Sequence, residues 1–165
     1  MFALSEETAR DGLTVRSSGP GDRAFFRALF ATTRLDAPIL AQWPQRERDV
    51  FLDSQFQYQD QHYRGFYATA DFLVIERRGA PAGRLILERG EDEWRIVDIG
   101  FVPAQRGQGL GTALLRDIQR QAAAAGARCV LLSVEVGNRA YKVYARLGFV
   151  ETDNSGTHIA MEWCC

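Results

Sequence analysis

The stretch Ile96-Val97-Asp98-Ile99-Gly100-Phe101-Val102-Pro103-Ala104-Gln105-Arg106-Gly107-Gln108-Gly109-Leu110-Gly111-Thr112 constrains this chain more than any other. β-Branched and aromatic residues fill its opening positions at both parities, which predicts a strand covered on both faces. Pro103 has no N–H to give and ends the ladder. Behind the glycines, Leu110, Ala113, Leu114, Ile118, Ala122 and Ala125 mark one face of a helix, and Gly126 stands where a C′ residue belongs. Cys129-Val130-Leu131-Leu132-Ser133-Val134-Glu135-Val136 then reads as a second buried strand. Strand, helix and strand make a βαβ unit, so strands over 94–102 and 129–136 are expected to run parallel. Unpaired N–H groups at a helix N-terminus carry positive partial charge, and glycines let a ligand approach the backbone. The turn is therefore predicted to cradle a pyrophosphate at the carboxyl end of a central strand.

The rest of the chain fits round that unit. Residues 1–11 carry few apolar groups and predict a mobile or loosely docked arm. A strand is expected over 13–17 and a helix over 22–34, with Asp22 as its cap. A connector follows from Pro38 to Pro44. A helix is expected over 45–63, with Val50, Phe51, Ser54 and Tyr58 on one stripe. That aromatic-rich region is read as a packing face or as walls of a substrate cleft. Strands over 71–77 and 82–89 join the central strand in a meander, through turns at Arg78-Gly79-Ala80-Pro81 and Gly90-Glu91-Asp92-Glu93. After the βαβ unit, Asn138 caps a short helix over 139–147, Gly148 ends it, and a hairpin closes the chain. The expected fold is one mixed α/β domain spanning 1–165. It has a mostly antiparallel twisted sheet, one parallel pair, and helices on both faces.

Charge narrows the function. Twenty basic side chains against twenty-one acidic ones leave a net charge of −1. That argues against a general nucleic-acid binder, whose affinity rests on many phosphate contacts. No stretch approaches the roughly 20 apolar residues of a membrane span, and the first residues do not form a signal peptide. Cys129, Cys164 and Cys165 are an odd set without disulfide or zinc spacing, and His62 and His158 are isolated. A cytoplasmic protein with free thiols and no bound metal is the expectation.

Three ligand readings compete for the glycine turn, against a tight turn that serves geometry alone. A P-loop needs Lys before the Ser/Thr, and Leu110-Gly111-Thr112 has none. A dinucleotide fingerprint needs G-x-G-x-x-G early in the chain, and Gly107-Gln108-Gly109-Leu110-Gly111 fails that spacing. The third reading is a resemblance. Arg106-x-x-Gly109-x-Gly111, after Phe101-Val102-Pro103, resembles the acyl-CoA pyrophosphate loop of the GNAT N-acetyltransferase superfamily. Asn138-Arg139-Ala140-Tyr141-Lys142-Val143-Tyr144-Ala145-Arg146-Leu147-Gly148-Phe149 resembles that family's second signature, commonly N-x-x-A-x-x-L-Y-E-x-L-G-F. The similarity covers about residues 13–163. Two departures stand out: Asn138 precedes Ala140 by two positions rather than three, and Ala145 replaces the usual acid.

The resemblance implies an acetyl-CoA-dependent transfer of an acetyl group to a primary amine by direct attack in a ternary complex. Arg106, Gly107, Gln108, Gly109, Leu110, Gly111 and Thr112 would bind the pyrophosphate, and Asn138 would meet the cofactor arm. Phe101 and Val102 would pair with the pantetheine, and a backbone N–H there would suit the oxyanion. Tyr144 would be the general acid to the departing thiolate and would also lie against the cofactor. For the base, Asp98 comes first, as an acid in a buried strand whose pKa desolvation should raise. Glu135 comes second and Glu88 third, with a water chain as the alternative. The acceptor is a small-molecule or peptide amine set by side chains in about 35–70, and a homodimer is left open. An N-terminal or lysine protein acetyltransferase and a non-catalytic acyl-CoA sensor are the other readings.

Overall fold

The computed structural model describes residues 2–34 and 38–165. Seven strands form one sheet: β1 (Leu13–Ser17), β2 (Asp71–Arg77), β3 (Ala80–Arg89), β4 (Glu93–Phe101), β5 (Cys129–Glu135), β6 (Val150–Asn154) and β7 (His158–Cys164). Their order across the sheet is β1-β2-β3-β4-β5-β7-β6. Every neighbouring pair is antiparallel except β4 and β5. The crossover between those two is the helix predicted behind the glycine turn, because parallel strands cannot be joined by a hairpin.

Among the described residues six helices flank the sheet: α1 (Glu6–Ala9), α2 (Arg23–Arg34), α3 (Pro38–Ala41), α4 (Gln45–Phe66), α5 (Leu110–Ala124) and α6 (Ala140–Arg146). On one face, Leu110, Leu114, Leu115 and Ile118 of α5 pack with Leu85, Leu87, Ile96 and Val130 of the sheet. On the other, Phe26 and Phe30 of α2 meet Leu52 and Phe56 of α4 over Val74. Burying that apolar area on both faces is the main stabilising term. Part of the expected connector, Pro38–Ala41, is a short helix that buries Leu40. The part of the acceptor region at 35–37 lies outside the described residues.

The N-terminal segment is packed rather than loose among the described residues. Phe2 is 2% exposed. The Ser5 N–H donates to Asp117 Oδ2 at 2.8 Å, and Gln121 Nε2 donates to the Ala3 carbonyl at 2.7 Å. The α4 stripe is also displaced from expectation: Leu52, Phe56 and Asp60 are buried, while Val50 and Tyr58 face outward.

Two irregularities shape the centre of the sheet. The β3–β4 register shifts so that Ile86 faces Asp98 and Leu87 faces Ile96, which leaves Val97 as an extra residue in β4. The parallel pairing of β4 with β5 runs from Glu93 and Cys129 to Ile96 and Leu132, and there it ends. Beyond that point β5 continues to pair with β7, and residues 97–101 of β4 stand apart from it. The expectation that both faces of β4 are fully covered therefore holds at Trp94 and Ile96, which are buried. It fails over 97–101, which are half-buried because the strands have parted.

Candidate active site

The gap between β4 and β5 opens beside the glycine turn. A short 3-10 turn, Pro103–Gln105, leads out of β4, and Gly109 adopts φ 78° immediately before α5. Gly107 is also left-handed, at φ 71°, a region that side chains other than glycine enter with strain. At both positions an added Cβ would meet nothing within 4 Å, so the backbone lies bare. The first intrahelical bond is from the Ala113 N–H to the Gly109 carbonyl. The N–H groups of Gly107, Gln108, Gly109, Leu110, Gly111 and Thr112 have no protein acceptor among the described residues. Six unpaired donors at the positive end of a helix dipole fit a pyrophosphate.

Side chains brace this turn from the sheet. Arg77 Nη1 of β2 donates to Gln105 Oε1 and Gln108 Oε1 at 2.6 and 2.5 Å. Gln108 Nε2 donates to the Ala104 carbonyl at 2.7 Å, so the Gln108 side chain holds the turn rather than projecting from it. Arg106 reaches back: its Nε donates to the Phe101 carbonyl and its Nη2 to Thr32 Oγ1 of α2, both at 2.8 Å.

Phe101 and Val102 separate in the structure. The Val102 N–H donates to the Ala82 carbonyl at 2.9 Å, toward β3, so it is spent and cannot serve an oxyanion. Backbone groups of successive strand residues alternate in direction, so Phe101 presents its N–H and C=O to the β5 side. Its side chain packs in the core on the α5 face.

Tyr144 of α6 is 8% exposed and meets Phe149 edge-on at 5.9 Å between centroids. Its hydroxyl has no protein partner among the described residues. Burial pushes its phenol up to about 12, with the Asp98 charge adding to the shift. Tyr63 of α4 is pushed up to about 12 by the same two causes. Two neutral phenols from different helices thus share one carboxylate as a neighbour, and Tyr63 carries no sequence motif that would single it out. Asn138 accepts the Ala140 N–H at Oδ1, 2.9 Å, while Arg139 rather than Asn138 stands at the N-cap of α6.

The three carboxylates fare differently. Asp98 is not an isolated buried acid: its side chain is 28% exposed and paired with Arg84 of β3, Nη2 to Oδ2 at 2.5 Å. The reason is the parting of β4 from β5, which leaves that part of the strand open. Glu135 lies at the end of β5, exposed, 3.6 Å from Arg34 Nη1 of α2. Glu88 accepts from Thr69 Oγ1 at 3.5 Å and pairs in register with Arg95, at the opposite end of β4 from the turn. It does not join the others. Cys129 is likewise remote, opposite Glu93, and burial pushes its thiol up to about 11, against a nucleophilic role.

Among the described residues no group of three or more His, Cys, Asp or Glu side chains could hold a metal ion. No helix there is long and apolar enough to cross a membrane. A hollow of about 520 Å³ between α1 and α5, lined by Glu7, Asp11, Arg116, Arg120 and Trp163, lies apart from the turn and contains none of the residues above.

Comparison with known proteins agrees with this fold. The family model for the "Acetyltransferase (GNAT) family" matches residues 30–149. The PaiA N-acetyltransferase of Thermoplasma acidophilum, solved with coenzyme A, is 13% identical at a TM-score of 0.69, covering 93% of this chain and 99% of that one. The spermidine N-acetyltransferase of Vibrio cholerae, solved with CoA and spermine, is 18% identical at 0.62, covering 93% and 95%. The yncA protein of Salmonella typhimurium, solved with its cofactor acetyl-CoA, is 20% identical at 0.58, covering 93% and 94%. No curated protein sequence matches the chain.

Proposed function

The chain belongs to the GNAT acetyltransferase family, and from that premise we propose that it transfers an acetyl group from acetyl-CoA to a primary amine by direct attack. One observation carries the proposal: six N–H groups at the start of α5, unpaired among the described residues, stand where the parallel pair β4–β5 comes apart. A pyrophosphate on those donors would direct the pantetheine arm into the gap, with Phe101 the backbone partner on the β4 side.

The chemistry then needs an acid and an orientation. The amine lone pair forms the new C–N bond at the thioester carbon, and collapse of the tetrahedral adduct breaks the C–S bond. Tyr144 keeps its proton throughout the neutral range, because burial holds its phenol at about 12. It gives that proton to sulfur as the bond breaks. The nitrogen sheds its surplus proton to solvent on the Asp98 side of the gap, and solvent returns one to Tyr144. Glu135, already bound to Arg34 at the mouth of the gap, shapes the entrance rather than acting as base.

The test is release of free CoA thiol when protein, acetyl-CoA and a panel of small and peptide amines are mixed. Turnover with at least one amine is expected. Calorimetry should show CoA binding to the wild type and none to Gly109→Trp, whose indole would fill the open space over the turn. Unchanged CoA affinity in that variant would remove the turn from the site.

A further inference from the structure

We propose that Arg84 is the positioning residue of the acceptor site: it pins Asp98 by one carboxylate oxygen and leaves the other open to take an N–H of the incoming primary amine. The inference rests on the acetyl-transfer reading above and adds the part that receives the amine.

Arg84 is a buried guanidinium, 5% exposed, on the α2–α4 face of the sheet. Its Nε donates to Asp98 Oδ2 at 2.6 Å, and its Nη2 lies 2.5 Å from the same oxygen as an ion pair. Nη2 also donates to Gln59 Oε1 of α4 at 3.0 Å. Asp98 Oδ1 has no protein donor among the described residues. The guanidinium cannot swing, because its carbon sits 5.5 Å from the Phe26 centroid and 5.9 Å from that of Tyr63. Three elements, α2, α4 and β4, therefore hold one cation against a single carboxylate oxygen, with its Nη1 buried and without a hydrogen-bond partner among the described residues.

A purely structural ion pair is a poor explanation for this arrangement. Burying a guanidinium is costly, and apolar residues of similar volume often serve stability as well or better. A pair built for stability would also engage both carboxylate oxygens in the bidentate fork that arginine favours. Here one oxygen takes the Nε hydrogen bond and the close approach of Nη2, and its twin remains free on a side chain that is still partly open. Asp98 sits one residue past the extra residue of β4, in the stretch that no longer pairs with β5. An acceptor atom held there orients a nitrogen toward the gap, and because the pair is neutral as a whole it does so without trapping an ammonium ion.

The experiment compares Arg84→Met, Asp98→Asn and the double variant. Each single change should lower kcat/KM for the amine about 10²-fold, the loss expected when a reacting group is misplaced. CoA affinity should stay within about twofold. The double variant should be no worse than the poorer single one, since the two residues act as one unit. Added guanidinium should restore part of the rate to Arg84→Ala. Should Arg84→Met fail to fold, Gln59→Leu loosens the guanidinium with the pair intact and should raise KM for the amine with little change in CoA affinity. Multiplicative losses in the double variant would overturn the proposal. So would a crystal structure of Arg84→Lys or Gln59→Leu in which Asp98 keeps its place while amine kinetics match wild type. If wild-type protein turns over no amine, the transfer reading fails. The position of the Asp98 carboxylate in Arg84→Met, moved as expected or unmoved, then still decides the pinning.

Discussion

Tyr144, the proposed proton donor, also ties stability to pH. Its folded value of about 12 lies above the unfolded value of about 10, so the folded chain holds that proton more tightly. Its contribution is complete below about pH 10 and is lost as pH rises from there through about 12. That difference corresponds to about 2–3 kcal/mol for this buried phenol. Urea unfolding at about pH 8, 10 and 12 should show stability falling over that window, and Tyr144→Phe should lessen the fall, with Tyr63 supplying the rest. The same variant should cut turnover about 10²-fold or more while CoA binding holds, as measured by thiol release and calorimetry. The tyrosine was legible from its place in a sequence signature. The pairing of Asp98 with Arg84 was not, because the two lie on different strands and only the β3–β4 register brings them together.

Among the elements, β3 and β4 show how tightly the gap is built. A Cβ on Gly83 would come within 2.3 Å of the Gly100 carbonyl oxygen, a backbone atom that can yield only if the strand moves. Gly83→Ala should therefore cost about 1–3 kcal/mol, the usual range for overpacking. Because Gly83 pairs with Phe101, it should weaken CoA binding too. Thermal melting and calorimetry check the two effects. The strands and the α5 crossover were readable because their periodicity and glycine turns are local signals. α4 was only half readable: its helical character was clear, but its buried stripe was misassigned. Aromatic residues occur on more than one side of α4, so periodicity could not choose between Val50 and Tyr58 on one stripe and Leu52 and Phe56 on another. Contact with α2 and Val74 made that choice.

At the scale of the whole molecule, the N-terminal segment behaves as part of the core. Phe2 is buried in the α5-side cluster, and its N–H donates to Asp71 Oδ2 at 3.2 Å. Phe2→Ala should destabilise the protein by about 3–5 kcal/mol in urea unfolding, a loss no mobile arm could produce. The sequence could not reveal this, since a lone phenylalanine in a polar stretch has no periodic partner, and its site is assembled from distant elements. The parting of β4 from β5 has a consequence for colloidal behaviour as well. It leaves a sheet edge in the middle of the molecule, and unpaired edges invite strands from other chains. The Arg106 guanidinium seated on the Phe101 carbonyl blunts that edge with a charge and occupies an acceptor an invading strand would need. The arginine of the glycine turn thus also acts as a guard against aggregation.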